Sequence, residues 1–228
     1  MASDDFKLLG TKWSPYVLRV QVALNLKSLN YEFIEEKLYP KSELLLKLNP
    51  IYKKVPVLIH NDNPISESPI IVQYIDDVWV TSGPSIFPCD PYDRAVTKFW
   101  SFYIDDKVLP VLLEVSSVGD KAVKKEVIDD LVELLAPLED VFKSCSKGGK
   151  FFGGDRIGYL DIALGSFVGW FKVIETFNDI KLFDDTRFSR LSKWIEDFAI
   201  DDAVINVMPS TEKLVELIKG SNKRSQPN

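Results

Sequence analysis

The sequence predicts two domains of different class, a small α/β domain followed by an all-helical one. In residues 1–80, short apolar segments with strand character alternate with segments of helical spacing. From residue 92 to residue 228, apolar residues recur at helical spacing almost throughout. Residues 81–91 break both patterns with three prolines and a glycine. We therefore expect domains at 1–80 and 92–228, joined by a linker at 81–91.

The first domain alternates strands and helices in a fixed order. Strands are predicted near residues 6–10, 31–35, 57–60 and 64–66. Helices are predicted near residues 15–28, just after Lys41, and from residue 67 to residue 79. This order gives a βαβ unit and then a ββα unit around one mixed sheet.

The second domain shows two apolar stripes at helical spacing, within residues 95–104 and 127–138. Further helices are predicted near residues 159–174 and 186–199. Pro110 and Pro137 lie within the helical pattern, and we expect each to kink or end a helix. The polar tail from Ser221 to Asn228 is predicted to be disordered.

Composition excludes several classes of protein. The chain has 228 residues, of which 46% are hydrophobic and 27% charged, as in an ordinary globular protein. Its net charge of −6 argues against broad nucleic-acid binding. Cys89 and Cys145 lie far apart and match no metal-binding or redox spacing, so no metal site is expected. The acidic first five residues and the absence of a membrane-length apolar run predict a cytosolic protein.

Ser14 and Pro15 stand between the first strand and the first helix. Serine is a favoured N-cap, because its side-chain oxygen accepts a hydrogen bond from an unpaired N–H of the first turn. Proline suits the next position, where its missing N–H is not needed. The Ser14 hydroxyl is therefore predicted to lie at the positive end of a helix dipole, where an anion is stabilised.

Several stretches in a fixed order carry a family resemblance. In the first domain they are Ser14–Val20, Lys41–Leu45, Lys53–Ile59 and Ile65–Ile75. In the second they are Phe99-Trp100, Tyr103–Lys107, Phe152–Asp155 and Gly158–Ala163. Together they resemble the cytosolic glutathione transferases along nearly the whole chain, and look like the plant tau class. The resemblance implies a thioredoxin-like α/β domain followed by an all-α domain.

The resemblance also implies an activity. Such enzymes join the thiolate of glutathione, a co-substrate, to hydrophobic electrophiles in detoxification, and some reduce organic hydroperoxides; no prosthetic group is implied. A low-turnover carrier of hydrophobic metabolites is the alternative. A thiol reductase is disfavoured, because residue 14 is serine and forms no mixed disulfide. The family also implies a homodimer, for which Asp76 or Asp77 of one subunit could pair with Arg94 of the other.

Ser14 is the catalytic residue that the resemblance implies, as a hydrogen-bond donor to the sulfur of glutathione. A free thiol has a pKa of about 8.5 and is mostly protonated at neutral pH. Lowering that pKa by about 2 units takes about 2.7 kcal/mol. A helix N-terminus contributes up to about 2 kcal/mol, and a hydrogen bond to a charged group about 1.5–3 kcal/mol, so both are needed. Tyr16 is the alternative donor, although its position within the helix favours a role in the pocket wall.

The resemblance assigns other residues to glutathione. Ser68 and the helix N-terminus after it would bind the γ-glutamyl carboxylate, and Glu67 the ammonium group. Val55 would offer its backbone to the cysteinyl part, with a cis peptide bond before Pro56. Lys41 and Lys54 would meet the glycyl carboxylate.

The second substrate is predicted to lie between the two domains, against the first helix of the second domain. The candidates are four aromatic residues, one apolar residue and one lysine: Trp13, Tyr16, Tyr103, Trp170, Leu217 and Lys107. Aromatic residues at helical spacing are as often simply core residues.

A structural role is predicted for Asp161. Gly158 stands at the cap of the helix that follows, where relatives have serine or threonine, and Asp161 can still accept the N–H of Gly158. His60, the single histidine, is expected at a strand end without a chemical role.

Overall fold

The computed structural model describes residues 6–37 and 39–224, with side chains described as far as Gly220. The chain forms two compact units. The first extends to Phe87 and also includes Asp202–Met208, and the second consists of Pro88–Asp201 and the chain from Pro209 onward. The sequence pattern did not predict that Asp202–Met208 would pack with the first unit. Among the described residues, no helix is both long and apolar enough to cross a membrane.

The first unit contains a sheet of four strands. They are β1 (Phe6–Gly10), β2 (Glu32–Glu35), β3 (Val57–His60) and β4 (Asn63–Ser66). Their order in the sheet is β2-β1-β3-β4. β1 is parallel to β2 and antiparallel to β3, and β3 is antiparallel to β4. The predicted mixed sheet and its βαβ-ββα order are confirmed.

Three helices belong to this sheet: α1 (Pro15–Leu26), α2 (Glu43–Leu48) and α3 (Ser68–Val78). α1 and α3 bury apolar side chains such as Val20, Ile71 and Ile75 completely. Gly10, at the end of β1, lets α1 approach the sheet closely. A Cβ atom there would lie 2.7 Å from Cγ1 of Val17, which is closer than real Cβ contacts.

A buried ion pair joins α1 to α3. The Lys27 ammonium lies 2.8 Å from Oδ1 of Asp76, and both side chains are buried. The Asp76 carboxylate also accepts the backbone N–H groups of Ile86 (2.9 Å) and Phe87 (3.0 Å). The prediction that Asp76 pairs with Arg94 of a second subunit is therefore wrong, because these internal partners occupy both carboxylate oxygens.

The second unit is helical. Its elements are α4 (Pro91–Tyr103), a π-helical turn (Ile104–Val108), α5 (Leu109–Ser117), α6 (Lys121–Cys145), α7 (Tyr159–Gly165), α8 (Val168–Asn178), α9 (Ser189–Ala199) and α10 (Thr211–Arg224).

Two helix boundaries differ from the sequence expectation. The helix predicted near residues 159–174 is two helices, because α7 ends at Gly165 and α8 begins at Val168. α10 extends to Arg224, so the predicted disorder does not begin at Ser221. A helix that has already formed extends into polar residues at little cost. Residues 225–228 of the predicted tail lie outside the described residues.

The two prolines behave differently. Pro110 lies in the first turn of α5, directly after the π-helical turn, which already interrupts the regular α-helical hydrogen bonding where proline has no N–H to donate. Pro137 does not end α6, which continues through it to Cys145. The buried side chains of Leu135 and Leu138 flank this proline. Their burial offsets the cost of an interior proline, which is about 3 kcal/mol.

Asp161 organises the second unit around a buried carboxylate. Oδ2 accepts the backbone N–H groups of Gly158 (2.8 Å) and Gly153 (2.9 Å). Oδ1 accepts the N–H of Phe152 (2.8 Å) and the indole Nε1–H of Trp194 (2.8 Å). Complete burial raises the pKa of Asp161 to about 6, and the four hydrogen bonds oppose this rise. The sequence predicts the bond from Gly158. Of the other three, the bonds from Phe152 and Gly153 join the preceding loop to α7, and the bond from Trp194 joins α9 to α7.

Candidate active site

Four strand ends meet at one edge of the sheet. Gly10 at the end of β1 pairs with Glu35 at the end of β2. Leu9 pairs with Val57 at the start of β3, and Val57 pairs with Ser66 at the end of β4. The segments attached to these ends carry the residues predicted for glutathione: Ser14, Lys41, Lys54, Val55, Glu67 and Ser68.

Ser14 is the N-cap of α1. Its Oγ accepts the backbone N–H of Val17 at 3.3 Å, and Pro15 occupies the first turn. Accepting through a lone pair leaves the hydroxyl hydrogen available for donation. The hydroxyl therefore lies at the positive end of a helix of 12 residues and can donate to an anion there.

Tyr16 differs from Ser14 in exposure and in neighbours. Its side chain is exposed, and the Arg19 guanidinium carbon lies 5.3 Å from the centre of its ring. Arg19 itself is buried. A guanidinium over an aromatic face is attracted to it, so Arg19 stabilises the Tyr16 ring in this position.

The loop between α2 and β3 is folded around Asn49, which the sequence analysis did not select. The Asn49 amide donates to the Lys54 carbonyl (2.9 Å) and accepts the N–H of Tyr52 (3.2 Å). The Asn49 carbonyl accepts the N–H of Lys53 at 2.9 Å. Asn49-Pro50 is a turn signal, but it does not show that the amide holds the loop from both sides.

The same loop leads into Val55 and Pro56. Their peptide bond is cis, as the resemblance implies. Val55 packs against a buried cluster that includes Leu9, Leu45 and Val57. The Lys41 ammonium donates to the carbonyl of Lys53 at 2.7 Å, and the Lys54 side chain is exposed. The ammonium groups of Lys41 and Lys54 therefore both belong to the segments around the loop between α2 and β3.

The start of α3 combines an exposed acid with a buried hydroxyl. Glu67 is the N-cap and is exposed, with a positive φ of 73°. Ser68 is 2% exposed, and its Oγ has no hydrogen-bond partner within the part of the chain that the structure describes. A buried hydroxyl without a partner costs free energy, so it marks a position where a polar ligand atom is stabilised.

The residues predicted for the electrophile lie in both units. Trp13 and Tyr16 belong to the first unit, and Trp13 is half-buried. In the second, the Tyr103 hydroxyl donates to the Leu134 carbonyl at 2.9 Å, and Lys107 pairs with Asp106 at 2.9 Å. Trp170 of α8 is half-buried and Leu217 of α10 is exposed.

α8 and α10 pack closely where Gly169 faces Leu214. A Cβ atom at Gly169 would lie 2.9 Å from Cδ1 of Leu214. The half-buried Trp170 and the exposed Leu217 therefore belong to helices that contact each other.

His60 belongs to an aromatic cluster. Its ring stacks on Phe6 with the ring centres 4.6 Å apart, and its Nδ1 lies 2.7 Å from the hydroxyl of Tyr74. Trp79 lies against the same ring. Within the described ranges, no group of three or more histidine, cysteine or acidic side chains could hold a metal ion.

Comparison with known proteins identifies the family. The model of the glutathione S-transferase N-terminal domain matches residues 5–77, and that of the C-terminal domain matches residues 121–197. The chain is 54% identical over 219 residues to glutathione S-transferase U17 of Arabidopsis thaliana, and the match covers 96% of both chains. It is 46% identical over 220 residues to the probable glutathione S-transferase GSTU6 of Oryza sativa, covering 94% of this chain and 93% of that one.

Two solved structures agree. The tau-class glutathione S-transferase of mango superposes with a TM-score of 0.90 at 52% identity, covering 94% of this chain and 97% of the other. Rice GST1 in complex with glutathione superposes with a TM-score of 0.89 at 30% identity over the full length of both chains. The chain therefore belongs to the glutathione S-transferase family and is an enzyme of the plant tau class.

Proposed function

We propose that Ser14 activates glutathione by donating its hydroxyl hydrogen to the thiolate at the N-terminus of α1. The observation that carries this proposal is the position of the hydroxyl. Its oxygen caps α1 by accepting from Val17, so its hydrogen is available for an acceptor outside the helix. Dipole and hydrogen bond together supply the roughly 2.7 kcal/mol needed to lower a thiol pKa by about 2 units. The activated thiolate then attacks a hydrophobic electrophile.

The γ-glutamyl end of glutathione is assigned to the start of α3. The buried Ser68 hydroxyl gains a partner when a carboxylate oxygen lies against it. The exposed Glu67 carboxylate complements the α-ammonium group. Both side chains follow the end of β4, on the sheet edge that also leads to Ser14.

The glycyl end of glutathione is assigned to the loop after α2. Lys41 already donates one hydrogen to the Lys53 carbonyl, and an ammonium group has two more. Lys54, the residue after Lys53, has an exposed side chain. Val55 follows directly and offers backbone groups to the cysteinyl part.

The test compares Ser14→Ala with the native enzyme in the conjugation of glutathione to a chromogenic aryl halide. We expect kcat to fall at least about tenfold and the pKa of bound glutathione to rise toward its free value of about 8.5. Asp120→Ala is the control, since it removes the exposed N-cap of α6, which accepts from Ala122 and Val123. A Ser14→Ala enzyme with unchanged kcat and thiol pKa would contradict the proposal and make Tyr16→Phe the next variant.

The same thiolate can attack an electrophilic oxygen, so we include hydroperoxide reduction in the proposal. Two glutathione molecules and one hydroperoxide give glutathione disulfide, an alcohol and water. Release of the disulfide, measured with a hydroperoxide as the second substrate, tests this activity. Ser14→Ala should lower both activities together, because both need the thiolate.

We also propose a homodimer acting in the cytosol. Ile51, Tyr52 and Ile70 of the first unit are large apolar side chains exposed on the described chain, and a partner subunit would bury such side chains. Asp77 is exposed and stays the predicted partner of Arg94 across the interface. Sedimentation of the native protein and of Tyr52→Glu tests the dimer, and the variant should sediment as a monomer.

A further inference from the structure

Glu36 is a buried carboxylate that the mechanism does not use. It follows β2 directly and is 4% exposed. A buried carboxylate needs hydrogen-bond donors to compensate for its lost hydration. Ser42 supplies two, since its backbone N–H donates to Oε1 at 2.8 Å and its hydroxyl donates to Oε2 at 2.6 Å. One buried side chain therefore accepts from both hydrogen-bond donors of one residue.

Ser42 is also the N-cap of α2. Its Oγ accepts the backbone N–H of Leu45 at 3.1 Å. A serine hydroxyl has one hydrogen, and donating it to Glu36 leaves a lone pair directed at the helix. Glu36 thereby fixes the rotamer in which Ser42 caps α2.

α2 has only six residues and depends on such external contacts. On its apolar side, Leu45 is buried with Leu9 and Val57 at the sheet edge, and Leu48 packs against this cluster. On the polar side of α2, Glu36 binds Ser42, which caps the first turn of the helix. At its other end, Asn49 holds the loop that follows.

Lys41 directly precedes Ser42, and its ammonium reaches the Lys53 carbonyl at 2.7 Å. Glu36 thus contacts Ser42 at the start of α2, and Lys41, the residue before Ser42, contacts the loop at the other end of α2. Lengthening the Glu36–Ser42 contacts would let the start of α2 move, and Lys41 would move with it.

We propose that Glu36 is a positioning residue for glutathione binding, because its two hydrogen bonds with Ser42 hold the neighbouring Lys41 ammonium where the glycyl carboxylate binds. This inference rests on the proposed role of Lys41. Glu36 itself touches neither substrate.

The test measures the Kd of glutathione and the steady-state kinetics of Glu36→Ala and Glu36→Gln. For Glu36→Ala we expect the Kd and the KM of glutathione to rise about fivefold, equivalent to about 1 kcal/mol. The kcat at saturating glutathione, the KM of the aryl halide and the pKa of bound glutathione should not change. Glu36→Gln keeps one acceptor for the Ser42 N–H and should show a smaller rise. Glu32→Ala is the matched control, since Glu32 is an exposed glutamate of β2, the strand that Glu36 follows.

The reference variants are Lys41→Ala and the double variant with Glu36→Ala. If Glu36 acts through Lys41, the two effects on Kd are not additive, and the double variant binds glutathione about as weakly as Lys41→Ala. A lower melting temperature in Glu36→Ala with an unchanged Kd of glutathione would overturn the proposal and give Glu36 a purely structural role. If Glu36→Ala does not fold, Glu36→Gln and Ser42→Ala provide the same comparison.

The proposed function fails in a different way. Should Lys41→Ala bind glutathione with the native Kd, the role of Lys41 is refuted, and the positioning role of Glu36 with it. Should Lys41→Ala bind weakly while folded Glu36→Ala binds normally, only the role of Glu36 is refuted.

Discussion

Replacing Asp161 with asparagine tests how the helical unit is held together. The side chain keeps its size but has one acceptor oxygen in place of two. If that oxygen stays with Phe152 and Trp194, the new NH₂ group faces the N–H groups of Gly153 and Gly158. The Gly158 N–H, which is buried, and the Gly153 N–H, which is partly buried, then lose their acceptor.

A buried donor without an acceptor costs about 1–3 kcal/mol and a partly buried one less, so we expect Asp161→Asn to lose about 3 kcal/mol of unfolding free energy. This is a large part of a total stability of about 5–15 kcal/mol. Urea unfolding followed by far-ultraviolet circular dichroism measures the loss as a lower midpoint at an unchanged m-value. Asp140→Asn, an exposed aspartate of α6, is the control. A loss below about 1 kcal/mol would refute the reasoning, because the four hydrogen bonds would then carry no net stability.

The remaining predictions concern charge and packing. Because the folded pKa of Asp161 is raised to about 6 from 3.8, the folded state binds the extra proton as pH falls through about 6. The stability of the native protein relative to Asp161→Asn should therefore be about 1.4 kcal/mol greater at pH 5 than at pH 7.5, and an equal difference at both would contradict the raised pKa. Lys27→Met leaves the buried Asp76 carboxylate without its cation and should cost about 3–5 kcal/mol in urea unfolding, whereas exposed Lys193→Met should cost almost nothing. Gly10→Ala should cost about 1–3 kcal/mol in stability through the clash with Val17, and adding Val17→Ala should give a total loss smaller than the sum of the two.

Local patterns in the sequence determined the order of the elements and the cap of α1. Ser14 and Pro15 act through the backbone of the turn in which they stand, so their meaning is visible without the rest of the chain. Strand and helix periodicity likewise reports which face of a segment is buried. The resemblance of several such segments in a fixed order was enough to indicate the family.

The tertiary structure decided which polar groups meet. Asp76 stands in an ordinary helical pattern, yet it pairs with Lys27 and holds the chain at Ile86. The Asn25 amide donates to the carbonyl of Ala203 at 2.8 Å, 178 residues away, in the segment that returns to the first unit. Asp161 gains Trp194, and Glu36 gains Ser42, by the same kind of packing. Residue type shows only that a side chain can bond. Its partner depends on which surfaces the apolar core brings together, because a buried polar group must pair with whatever lies beside it.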